Sequence, residues 1–152
     1  EHNFLRLRRG PYVIAAALDE SIDEQPLRLD GSYVDLLDPQ LAVCQQVVVP
    51  PGEQAWLLDL ERVRGPVPLL LAAAGRVQSW DVTDERLEYT ISSPEGVFVS
   101  TRIMLAAAPQ AVFVDDQPCE EVTWDNASHT VLIRHAGHPT PVRIRLVHST
   151  ER

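Results

Sequence analysis

Gly31 to Leu60, GSYVDLLDPQLAVCQQVVVPPGEQAWLLDL, decides the fold class. It reads as three extended segments separated by two turns. Val47-Val48-Val49 is a β-branched run that favours a strand. Pro50-Pro51-Gly52 stops it, because two prolines cannot donate to a ladder and glycine tolerates positive φ. Asp38-Pro39 turns the chain before that run, and Ala55-Trp56-Leu57-Leu58 opens the apolar segment after it. The stretch predicts an antiparallel meander.

The same grammar extends outward. Upstream, Tyr12 to Leu18 is a continuous apolar run behind Pro11, which predicts a central strand covered on both faces. Leu27-Arg28-Leu29 alternates, and Asp30-Gly31 reads as a hairpin turn. Downstream, the apolar run from Leu69 to Val77 continues into Gln78-Ser79-Trp80-Asp81-Val82 as one strand. Leu87, Tyr89 and Ile91 alternate with polar residues, as do Val142, Ile144 and Leu146 with arginines. Further extended runs lie at Val97–Leu105, Ala111–Val114, Val122–Asp125 and Thr130–His135. Roughly ten short strands at about 8–12-residue spacing predict an all-β fold, an antiparallel β-sandwich. No internal repeat or long linker divides the chain, so residues 1–152 are read as a single domain. Glu1 opens the sequence like the start of a piece excised from a larger chain.

Composition narrows the function classes. Hydrophobic residues make up 45% and charged residues 23%, which fits a globular protein and argues against disorder. The net charge of −9 speaks against nucleic acid and anionic membranes as partners, since phosphate recognition needs a basic surface. No apolar run reaches the roughly 20 residues of a membrane helix. All 13 basic residues are arginine. Cys44 and Cys119, far apart and in no ligand spacing, read as two small hydrophobes.

No catalytic constellation emerges. Asp19-Glu20, Asp35 with Asp38, and Asp115-Asp116 are the tightest carboxylate groups. Glycosidase chemistry would need two such groups across a cleft. Each pair instead sits where a turn is expected, and aspartate forms turns through its backbone-bonding side chain. His135 and His138 are the closest histidine pair, without a carboxylate at ligand spacing, so no metal and no cofactor is expected. Nucleophile elbows and phosphate-cradling glycine loops are missing. Asn126-Ala127-Ser128 matches the N-glycosylation triplet but reads as a turn between two strands.

Aromatic side chains carry the binding signal. Trp56, Trp80, Trp124, Tyr12, Tyr33 and Tyr89 offer flat faces on which sugar rings stack. Trp80, Trp124 and Tyr33 are the candidate carbohydrate-binding residues, the two tryptophans because they sit in amphipathic strand-end settings. The competing reading makes them core or edge cover.

Several blocks resemble the β-sandwich domains that follow the catalytic barrel in bacterial glycoside hydrolases. They are Arg9-Gly10-Pro11-Tyr12-Val13-Ile14-Ala15-Ala16 with Asp19-Glu20-Ser21, Gly31 to Pro39, and Pro51-Gly52 before Leu57-Leu58-Asp59-Leu60. The tail, from Pro109 to Asp115 and on through Val122-Thr123-Trp124-Asp125 to Ile133, is similar to the final hairpins of such domains. The resemblance implies a non-catalytic accessory domain whose partner is the catalytic domain of the same chain. It carries over no catalytic residue, and it implies one apolar face unusually exposed in isolation. A stand-alone carbohydrate-binding module for poly- or oligosaccharide is the alternative. A small hydrolase or lyase using Asp19, Glu20 and a histidine is the third reading.

Overall fold

The computed structural model describes residues 3–19 and 25–148. Glu1, His2 and Glu20, part of the lead-in and of the Asp19-Glu20 pair, lie outside them. The described chain is all-β, with fourteen strands and one short 3-10 turn. It divides into two compact units, Glu1–Arg64 and Gly65–Arg152.

The first unit is a five-stranded antiparallel sheet. Its strands are β1 (Phe4–Arg9), β2 (Tyr12–Ala17), β3 (Leu27–Asp35), β4 (Val43–Val49) and β5 (Gln54–Asp59), in the order β1-β2-β5-β3-β4. The turns at Asp38-Pro39 and Pro50-Pro51-Gly52 fall where the sequence places them, but the meander does not. β5 leaves β4 and inserts between β2 and β3, pairing Ile14 with Trp56 on one side and Val34 with Leu58 on the other. Asp30-Gly31 is not a hairpin turn either. It lies inside β3, at a register shift against β4, with Gly31 at φ +141°. A Cβ on Gly31 would come within 3.1 Å of the Tyr33 ring, so glycine leaves that ring room to enter the core. Val13, Ala15, Ala17, Leu29, Tyr33, Val49, Ala55 and Leu57 form this core. β2 is central in the sheet yet covered on one face only, because Tyr12 and Ile14 point to solvent.

Asp59 closes the unit's polar framework. Its buried carboxylate meets Arg8 Nη1 at 2.7 Å and accepts the Glu61 amide at the start of the 3-10 turn Leu60–Arg62. The sequence reading gave neither Asp59 nor Arg8 a role.

The second unit is a two-layer sandwich. One layer has the order β11-β10-β14-β8-β7, built from β7 (Arg76–Val82), β8 (Arg86–Ser92), β10 (Ala111–Val114), β11 (Gln117–Pro118) and β14 (Val142–Val147). The other has the order β12-β13-β9-β6, built from β6 (Leu69–Ala73), β9 (Phe98–Met104), β12 (Val122–Asp125) and β13 (Thr130–Ala136). Leu87, Tyr89 and Ile91 face Val99, Ile103, Val131 and Ile133 across the gap, joined by Val142, Ile144 and Leu146. The alternation in β8 and β14 is thus used as it reads, with the β14 arginines outward. The run from Leu69 to Val82 is two strands in different layers, not one. It breaks at Ala74-Gly75, where a Cβ on Gly75 would sit 2.9 Å from both Ile91 Cγ1 and the Ser92 carbonyl oxygen.

Candidate functional site: an exposed apolar sheet face

The alternation of β1, β2 and β5 sends one set of side chains to the core of the first unit and the other set to solvent. Register aligns the solvent set into rows. Leu7, Ile14 and Trp56 are directly paired across the three strands, with Leu5, Ala16 and Gln54 in the row beside them and Arg9 and Tyr12 in the row on the other side, where the β5 partner of Tyr12, Leu58, is buried. Leu5 and Leu7 are each 58% exposed, Trp56 47%, Tyr12 44% and Ile14 41%. Solvent-facing apolar residues scattered singly are ordinary, whereas five in contiguous register form a patch of the kind that marks an interaction site.

The face is charged differently at its two ends. Arg9, beside Tyr12, ends β1 at one end and makes no ion pair among the described residues. At the other end, Leu18 leads into a shallow open depression lined by Ala16, Ala17, Asp19, Gly52, Glu53 and Gln54. Asp19 and Glu53 supply two carboxylates there.

The residues chosen from the sequence lie elsewhere. Tyr33 is only 3% exposed, in the core of the first unit, with its hydroxyl donating to the Asp30 carbonyl at 3.2 Å. Trp80 and Trp124 are half-buried and pack against the sandwich core. Trp80 lies 5.5 Å from the Tyr89 ring centroid at a tilt of 32°. Trp124 meets His129 edge-on at 6.0 Å. They occupy β7 and β12, edge strands of different layers of the second unit. Trp56 and Tyr12, which the sequence also offered, are the aromatic rings that share one exposed face. The signal that could have found them is the partner strand β5 brings to β2, which is non-local.

The Asp35, Asp38, Asp115 and Asp116 carboxylates are occupied by turns and ion pairs. Asp35 accepts the Leu37 amide and Asp38 the Gln40 amide, each at 2.9 Å. Asp115 and Asp116 both adopt positive φ at the β10–β11 hairpin, the conformation that matches strand twist. Asp115 accepts the Arg143 amide, and Asp116 pairs with Arg143 and Arg145. Among the described residues, no three histidine, cysteine or carboxylate groups cluster as metal ligands. Cys44 and Cys119 are free, half-buried thiols, both raised in pKa, chiefly by burial. No helix is long and apolar enough to cross a membrane.

The Asn126-Ala127-Ser128 turn hangs on Asp125. Its carboxylate accepts the Ala127 amide and the Ser128 hydroxyl, each at 2.9 Å. Burial alone would raise its pKa, but these hydrogen bonds and the Arg102 guanidinium outweigh it and hold the group below its usual value. A depressed folded pKa contributes stability that is complete above the unfolded value of about 3.9 and is lost as pH falls through the lower folded value. Asp125→Asn is therefore expected to cost about 0.5–1 kcal/mol at pH 7, kept small by solvent screening. Urea midpoints of the two proteins should converge below about pH 4. A gap unchanged down to pH 2.5 would rule out the charge as its source.

No family model and no curated protein matches the chain. Among solved structures it is similar to a Flavobacterium johnsoniae GH31 dextranase complexed with isomaltotriose, at 9% sequence identity and a TM-score of 0.42. The match covers 91% of this chain and 26% of that one.

Proposed function

We propose that residues 1–152 form a non-catalytic accessory β-sandwich module of a bacterial carbohydrate-active enzyme, one that packs on a catalytic barrel and stabilises it. The exposed Leu7–Ile14–Trp56 row carries this reading, since a solvated apolar face of that size is explained by a partner that covers it. The glycoside hydrolase side of the proposal rests on the sequence blocks from Arg9 to Ser21, Gly31 to Pro39 and Pro109 to Ile133. Use of the paired aspartates in turns supports a structural role over a catalytic one.

The test is made in the protein that carries this chain. Leu7→Asp with Ile14→Asp should lower the melting temperature of the catalytic region by several degrees and reduce its activity. In the isolated chain, at concentrations low enough to keep it monomeric, the same pair should leave the unfolding midpoint nearly unchanged, because both side chains then face water. A catalytic region indifferent to the pair would sink the proposal. Affinity electrophoresis against soluble polysaccharides should give no retardation. Retardation abolished by Trp80→Ala or Trp124→Ala would replace this reading with a carbohydrate-binding module.

A further inference from the structure

We infer that, in the isolated chain, the apolar face of β1, β2 and β5 closes on a second copy of itself, with strands of the two copies antiparallel. The inference rests on the docking reading of that face given above, and the distribution of charge selects the occupant. Arg9 stands at one end of the face, and Asp19 and Glu53 stand at the other. Two arrangements related by a two-fold axis in the interface plane are open to it. An axis running along the strands sets Arg9 against the partner's Arg9, and like charges facing each other oppose association. An axis running across the strands, level with the gap between Ile14 and Ala16, brings Arg9 to the partner's acidic end and repeats the contact by symmetry.

Shape agrees with charge in the second arrangement. Ile14 lies opposite the small Ala16, and Leu7 lies opposite Leu5. Tyr12 lies opposite Leu18, itself 51% exposed. Arg9 lies opposite Asn3, beside Leu18 and at the end of the face that carries Asp19 and Glu53. Sheets packed face to face stand about 10 Å apart, a gap that an extended arginine spans. A polysaccharide is the weaker occupant, because Leu5, Leu7 and Ile14 lie between and beside the two rings and the charged groups stand only at the ends.

Sedimentation equilibrium on the chain over a micromolar-to-millimolar series tests the pairing. The native chain should approach twice its 17.0 kDa mass. Ile14→Asp should raise the dissociation constant about 100-fold, by burying a charge at the centre of the contact. Arg9→Glu should raise it about tenfold, and adding Glu53→Arg should recover most of that loss. A native chain monomeric throughout would overturn the inference, as would a dimer that survives Ile14→Asp or ignores both charge reversals. Dissociation by a soluble polysaccharide in the native chain but not in Trp56→Ala would overturn it in favour of a glycan surface. A monomeric chain whose parent enzyme is still destabilised by Leu7→Asp with Ile14→Asp would leave the accessory role standing and remove only the self-pairing.

Discussion

Gly137→Val is expected to cost the second unit about 3 kcal/mol, the upper end of what overpacking a filled site ordinarily costs. Gly137 is buried just beyond β13, where the chain passes beneath the 93–97 turn. A Cβ there would collide with the Pro94 carbonyl oxygen and lie 2.7 Å from Ser93 Oγ and 2.9 Å from the Val97 carbonyl oxygen. Two of those three atoms are backbone and cannot swing aside. Retreat of the chain would forfeit the Gly137 amide's hydrogen bond to the Val97 carbonyl at 2.7 Å. The demand is for space, and the two γ-methyl groups of valine aggravate it. Urea unfolding of the variant, followed by tryptophan emission from Trp80 and Trp124, measures the loss. A cost under about 0.5 kcal/mol would mean that the 93–97 turn yields freely, contrary to the packing described.

Asp59→Ala should remove about 3 kcal/mol from the first unit. The Asp59 side chain is 8% exposed and Arg8 24%, so the pair is mostly withdrawn from water. Removing the carboxylate leaves the Arg8 guanidinium without its partner and strips the Glu61 amide of its acceptor. Arg62, 3.8 Å away and largely exposed, contributes little. The residual exposure of Arg8 lets water soften the loss, which places the expectation at the low end for a broken buried pair. The double variant Arg8→Met with Asp59→Leu should recover most of the stability, since a buried ion pair is often replaceable by apolar groups of similar volume. A double-mutant cycle by urea titration separates the coupling from the packing. If Arg8→Met with Asp59→Leu proves no better than Asp59→Ala alone, the carboxylate's value lies in capping the 3-10 turn.

The parts of this fold that depend on neighbours in sequence were legible in the residues. Leu87, Tyr89 and Ile91 declare an inward face by alternation alone, and Val142, Ile144 and Leu146 do the same. Pro50-Pro51-Gly52 marks its turn because proline cannot join a ladder, whatever surrounds it. What escaped is settled by distant partners. Asp30-Gly31 carries hairpin chemistry, yet β3 runs straight through it, because a bulge there lets the Tyr33 ring into the core. The position of β5 between β2 and β3 has no local signature, so the apolar run at Tyr12 read as doubly covered when one face is bare. That same non-local pairing sets Trp56 beside Ile14 and Leu7. Without it, the aromatic residues could be ranked only by their immediate neighbours, which favoured Trp80 and Trp124 over the rings that share an exposed face.

The insertion of β5 also dictates an order of events during synthesis. β1 and β2 are complete once residue 17 has emerged, but the strand that must lie beside β2 is not made until residue 59. At translation rates of about 5–20 residues per second the hairpin waits for seconds, long compared with its own closing time of about 1–10 μs. Through that interval Val13, Ala15 and Ala17 lack their core while Leu7 and Ile14 lack any cover. The nascent chain therefore offers a hairpin apolar on both sides at the ribosome, which makes residues 4–17 the segment for which a holding chaperone would compete.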